Sequence, residues 1–193
     1  IIIMPQYFHF HSDETDFDHK LESHRCTAIR PNGQQCKKNT VMGLKYCYIH
    51  NKTQLHLQIK DSTIPQAGKG LFAVGKPNTI IFQDKQRICL YNGQLIDIEE
   101  LIKRYGNDTG PYGIELHNHQ FEDAAIKRGI GSLANHTNNK RKINARLSIN
   151  KNNRAQLIAT KNIKSGMEIC FLIDYGDEYR FDENVESSTN NRK

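Results

Sequence analysis

Asn135 and His136 stand side by side after Leu133 and Ala134, within GSLANHTNNKRKIN from Gly131 to Asn144. The apolar lead-in buries this point of the chain and leaves two polar side chains at its edge, where an amide or imidazole must be hydrogen-bonded. Their partners are either another part of the protein or a ligand carrying its own donors and acceptors. A second set of chemical residues lies upstream: Cys26, Cys36, Cys47 and His50, spaced C-x9-C-x10-C-x2-H. Three thiolates and one imidazole form a donor set for tetrahedral Zn²⁺. Residues 25–50 are too few to bury the apolar surface that folding alone requires, so a structural metal would supply the missing stability. Buried cysteines without metal are the plainer alternative, and His24 could replace one ligand. Five cysteines, an odd number, and no signal-peptide pattern at Ile1-Ile2-Ile3-Met4 point to a reducing nuclear or cytoplasmic setting.

Three further segments carry glycines or acids at telling positions: Gly68-Lys69-Gly70, Tyr91-Asn92-Gly93, and Ile163-Lys164-Ser165-Gly166-Met167-Glu168. Asp174-Tyr175-Gly176 closes the series. Glycines beside Lys69 let backbone pass close to a ligand, though the same pair also suits a hairpin turn. No helix pattern follows, which excludes the dinucleotide-binding fingerprint. Taken in this order with Asn135-His136, the segments resemble the SET domain of lysine methyltransferases over residues 55–181. Residues 25–50 resemble the small zinc modules that precede other domains.

The resemblance implies a fold of small curved sheets with a C-terminal pseudoknot. It also implies methyl transfer from S-adenosylmethionine to a lysine of a protein substrate, most commonly a histone tail. Tyr175 matches the catalytic tyrosine, which also lies against the cofactor. Gly68, Lys69, Gly70 and Leu71 match the loop whose main chain meets the cofactor, and Asn135 and His136 the pair that contacts it. Tyr91, Tyr112, Ile173 and Tyr179 are candidates for the substrate channel. Ile173 stands where the family often has Phe or Tyr, which implies more than one methyl per lysine. Two departures bear on activity: Thr137 to Lys142 replace the usual Ser-Cys-x-Pro-Asn, with Asn144 in the later asparagine's place, and no cysteine follows Cys170. The alternative is an inactive SET-like binding protein that recruits a partner through the zinc module. Small viral SET proteins can work as dimers, so the resemblance allows a homodimer, although no apolar helical face argues for one.

The elements that must position these residues are mostly strands. Leu55, Leu57 and Ile59 alternate with polar residues, and strands are expected at 79–82, 87–91, 112–116, 156–159 and 168–173. One helix is expected over 98–105, capped by Asp97 and ended by Gly106. The chain is therefore mainly β with few short helices. Residues 1–24, rich in histidine and acids, read as a disordered leader, 51–58 as a polar link and 182–193 as a disordered tail. A first residue other than Met suggests a fragment or a start at Met4. No apolar run is long enough to span a membrane. The net charge of +6 does not by itself support a nucleic-acid partner. The Asn, Ile and Lys bias suggests an A+T-rich genome, such as that of a large DNA virus acting in a host cell.

Overall fold

The computed structural model describes residues 6–40 and 43–172; Ile173, Tyr175, Tyr179 and the 182–193 tail lie outside them. The described chain is mainly β with two short helices, as the strand and turn patterning requires. No helix among the described residues is long and apolar enough to cross a membrane.

The disordered leader is the first correction. β1 (Gln6–His11) and β2 (Asp16–Leu21) pair as an antiparallel hairpin. Ser12 closes its turn, the hydroxyl accepting from the Glu14 and Thr15 amides. Phe8 and Leu21 are buried against Leu101, Tyr105 and Phe121, with Phe10 and Phe17 half-buried beside them. The histidines and aspartates that suggested disorder lie across from one another on exposed positions, as His9–Asp18 and His11–Asp16. Average polarity concealed a period-two apolar face whose stability comes from tertiary burial.

The polar link is the second correction, because α1 (Tyr48–Gln54) occupies its first half and a strand begins at Leu57. Asn51 is buried on that helix and donates from Nδ2 to the Tyr46 carbonyl at 3.2 Å. β3 (Leu57–Asp61) then pairs antiparallel with β4 (Lys69–Ala73). β5 (Ile80–Phe82), β6 (Arg87–Leu90) and β7 (Gln94–Ile96) follow. α2 (Ile98–Tyr105) begins where expected: Asp97 Oδ1 accepts from the Glu100 amide at 2.8 Å, and Gly106, at φ 69°, ends the helix.

β8 (Gly113–Glu115) and β9 (Phe121–Asp123) join β7 in a three-stranded sheet of order β7-β9-β8. The central strand carries two fully buried acids. Glu122 accepts from the Gly93 amide, Arg154 Nη2 and the Ala155 amide at 2.8, 2.7 and 2.6 Å. Asp123 accepts from Arg104 Nη1 at 2.6 Å and from the Tyr105 hydroxyl at 2.8 Å. Burial, reinforced by the Asp123 carboxylate, pushes the Tyr105 hydroxyl far above its ordinary range, so it stays a donor.

A 3-10 turn at 130–133 packs on β4 and β6 and leads into β10 (Asn135–His136). β11 (Ala145–Ile149), β12 (Ala155–Ala159), β13 (Ile163–Lys164) and β14 (Cys170–Phe171) complete the described elements. The largest sheet has the order β10-β14-β11-β12-β6, and β14 is parallel to both its neighbours. The last strand thus lies between the two that flank residues 137–144, and that connection has to cross over it. This is the threading that the family resemblance implies. Asn144 is buried where the threading occurs: its Nδ2 donates to the Glu168 carbonyl at 2.7 Å and its Oδ1 accepts from the Cys170 amide at 3.0 Å. The main core beneath this sheet includes Leu57, Leu71, Leu157, Ile163 and Ile169, and also Leu44 from the cysteine-rich segment. That segment is therefore anchored to the larger domain by apolar packing.

Candidate cofactor site and metal centre

The glycine loop returns the chain from β3 to β4. Gly68 has φ +66° with nothing within 4 Å of the place a Cβ would occupy, so bare main chain borders open space there. Gly70 has the opposite constraint: a Cβ would stand 2.2 Å from Glu168 Oε1 and 3.1 Å from Asn135 Nδ2. One glycine allows the turn and the other lets three segments meet.

Glu168 is the hub of that meeting. It is 8% exposed and accepts from Ser62 Oγ at 2.6 Å, the Thr63 amide at 2.7 Å and Thr63 Oγ1 at 2.5 Å. Asn135 Nδ2 lies 3.1 Å from Glu168 Oε1, 3.0 Å from the Lys69 carbonyl and 3.0 Å from Ser62 Oγ. The Asn135 Oδ1 is left without a partner among the described residues. The parallel β10–β14 register sets Asn135 opposite Cys170 and His136 opposite Phe171. Three of the five sequence segments are thereby joined, and the last of them, Asp174-Tyr175-Gly176, continues from β14 outside the described residues. Lys69 turns its ammonium to Asp61, leaving its main chain to the loop. Leu71 is fully buried in the core.

Ser62 and Thr63 escape a reading of the sequence because two hydroxyls after a strand look like turn residues. Glu168 is visible there as part of a segment but without a role.

The tyrosines are placed elsewhere. Tyr91 is buried and its hydroxyl donates to the Tyr112 carbonyl at 2.9 Å. Tyr112 packs edge-on against Phe8 at 5.4 Å, with the Arg128 guanidinium 4.8 Å from its ring centre. Both tyrosines join an apolar cluster with Ile114, Leu147, Ile149 and Ala155. Those four also line a cavity of about 280 Å³ with Glu115 and Ser148.

The cysteine-rich segment brings Cys26, Cys36, Cys47 and His50 together, with all ligand atoms within 4.8 Å of one another. Cys26 Sγ and Cys47 Sγ lie 3.4 and 3.3 Å from His50 Nδ1, and Cys36 Sγ lies 4.0 Å from Cys47 Sγ. Tetrahedral Zn²⁺ with bonds of about 2.3 Å to sulfur and about 2.0 Å to nitrogen needs ligand separations of about 3.5–3.8 Å, so the cluster is compatible with zinc. His24 does not enter it; its Nδ1 lies 3.4 Å from Thr40 Oγ1. The Lys38 amide, 3.4 Å from Cys36 Sγ, holds that thiol below its ordinary range, while burial pushes Cys47 up.

No protein-family model matches the sequence, and no curated protein does. Solved structures do. The polycomb repressive complex 2 of Chaetomium thermophilum matches at 26% identity and a TM-score of 0.51, over 63% of this chain and 15% of that one. An active polycomb repressive complex 2 in the basal state matches at 27% identity and TM-score 0.51, with the same coverage. ATXR5 in complex with a mono-methylated histone H3.1 matches at 19% identity and TM-score 0.52, over 67% of this chain and 62% of that chain. The fold is that of a SET domain. The chain spans only about 15% of the length of the polycomb chains it matches.

Within the SET fold, Glu168 makes stability depend on pH in a definite direction. Burial alone pushes its carboxyl up, but hydrogen bonds from Ser62, Thr63 and Asn135 outweigh it and hold the group below the ordinary 4.5. A depressed carboxyl takes its proton in the unfolded chain first. Its stabilisation is full above about pH 4.5 and is lost as pH falls through the lower folded value. Glu168→Gln should flatten that acid limb in a denaturant titration. An acid limb identical to wild type would assign the dependence to another carboxylate.

Proposed function

We propose that the chain is an S-adenosylmethionine-dependent protein-lysine N-methyltransferase acting on a histone tail or another lysine-bearing protein. The observation that supports it is the junction of Gly70, Asn135 and Glu168 beside a last strand threaded between β10 and β11. The residues fit such a cofactor: Gly68 offers bare main chain to open space, and the Asn135 carbonyl oxygen is an acceptor without a protein partner among the described residues. Bound there, S-adenosylmethionine supplies an electrophilic methyl group on a sulfonium.

The chain's own task is positioning. The Gly68 to Leu71 main chain, Asn135 and His136 hold one reactant, and the Tyr175 hydroxyl orients the substrate amine, with Tyr91, Tyr112, Ile173 and Tyr179 as channel walls. A lysine ε-amine has a pKa of about 10.4 in water, and an apolar channel favours its neutral, nucleophilic form. Alignment of the reactants then supplies most of the rate. We further propose that Cys26, Cys36, Cys47 and His50 hold a structural Zn²⁺. A chromatin substrate would place the protein in the nucleus.

The test is transfer of labelled methyl from S-adenosylmethionine to core histones and other proteins, wild type beside Tyr175→Phe. Label on one protein, reduced about 100-fold by the substitution, is the expected result. Cofactor binding without transfer to any protein would move the assignment to a SET-like binding protein.

A further inference from the structure

The cysteine-rich segment is one of two long stretches of this protein that carry cations and no acid. No acidic residue occurs between Ser23 and Lys60, whereas Arg25, Arg30, Lys37, Lys38, Lys45 and Lys52 all do. The whole chain has 27 Lys and Arg against 21 Asp and Glu, and the second acid-free stretch, residues 124–167, carries ten cations of which Arg154 is paired with Glu122. Three thiolates on Zn²⁺ would subtract only one charge.

None of the six cations forms an ion pair among the described residues. The two arginines are engaged locally: Arg25 donates to the Cys36 and Gln35 carbonyls, and Arg30 to Gln34 Oε1. The four lysines remain exposed. Tyr48 lies among them, 70% exposed, with Lys38 Nζ 5.6 Å from its ring centre. Lys52 is four residues further along α1 and therefore on the same side of the helix. Lys45 lies 5.2 Å from the Tyr46 ring centre close by in sequence.

We propose that this surface binds single-stranded nucleic acid, with phosphates on Lys37, Lys38 and Lys52 and a base stacked on Tyr48. An exposed tyrosine that leaves one ring face open is a poor use of apolar area in a solvated face, but it is a stacking platform when cations flank it. An acidic peptide is the other partner of matching charge. Carboxylate recognition favours the guanidinium fork, and both arginines here are already turned to loop oxygens. Lysines are compact point charges, which suit a phosphate backbone read without sequence preference. The proposal does not depend on methyl transfer.

The experiment uses the full chain with zinc bound and measures fluorescence anisotropy of labelled oligothymidylate and oligouridylate of about 20 nucleotides across salt. A duplex of the same length and a labelled polyglutamate peptide are run beside them. Affinity for the single strands should fall linearly with log salt. Lys37→Ala with Lys38→Ala should reduce that slope by about 1.4, at about 0.7 for each phosphate no longer neutralised. Tyr48→Ala should weaken binding about tenfold at unchanged slope, and Tyr48→Phe should restore it. Equal zinc content in all variants shows that the module is still folded. Tighter binding of the ribose or the deoxyribose strand identifies which nucleic acid is the source. No single-strand binding at about 50 mM salt overturns the proposal. So does tighter binding of duplex, or polyglutamate binding as tightly with Tyr48→Ala silent, the last of which would indicate an acidic protein.

Discussion

Chelating zinc from the purified protein is expected to unfold residues 25–50 and to expose three reactive thiols. The segment has few paired backbone groups beyond the bridges Arg25↔Asn39 and Ile29↔Gln35, and its small core is made of the ligands Cys26, Cys36 and Cys47 with Ala28. Removing the metal removes what holds that core together, a contribution of about 10–16 kcal/mol in small zinc modules at neutral pH. The other two cysteines are an internal control. Burial pushes the Cys89 thiol up to about 12, and Cys170 is buried in β14. Titration with a thiol reagent should therefore count three fast thiols after chelation and five only in denaturant. The larger domain should also lose stability, since Leu44 belongs to its core. Protein that carries no stoichiometric zinc and shows the same thiol count with and without chelator would return the cluster to plain buried cysteines.

Asp123→Ala is expected to destabilise the SET fold by about 3–5 kcal/mol, from a total that is typically about 5–15 kcal/mol. The loss comes from what remains rather than from what is removed. The Arg104 side chain is 4% exposed and the Asp123 side chain 0%, so truncation leaves a guanidinium buried beside an empty place. The Tyr105 hydroxyl and the Ala125 amide lose their acceptor as well. Glu100, which also reaches Arg104 but is 37% exposed, provides the contrast: Glu100→Ala should cost no more than about 1 kcal/mol. Replacing Asp123 and Arg104 together by leucine and methionine should recover much of the loss, because an apolar pair avoids the desolvation of two ions. Denaturant midpoints at constant slope would measure all three variants. An Asp123→Ala cost below that of Glu100→Ala would mean that water reaches the pair.

Much of this protein is determined locally and can be read from residues in order. Asp97 and Gly106 bound α2 because a cap and a left-handed terminus are properties of a few neighbouring residues. Alternation at Leu57 and Ile59 specified β3, and Cys47-x2-His50 marked half of the Cys/His cluster, since both patterns act over short distances. The order of the glycine, asparagine-histidine and glutamate segments was enough to suggest the SET fold.

What the tertiary structure alone decided is which of these segments touch. Glu168 meets Ser62 and Thr63 across more than 100 residues of chain, and nothing about a hydroxyl after a strand announces that partner. The insertion of β14 between β10 and β11 sets Asn135 against Cys170 and pins Asn144 beneath it, a register fixed by non-local hydrogen bonds. Phe8 and Leu21 turn a polar leader into a hairpin only because Leu101, Tyr105 and Phe121 lie beneath it. Short-range patterns settle a strand or a cap, but burial is a property of the whole fold, and burial decides which polar groups must find partners and which apolar faces are real.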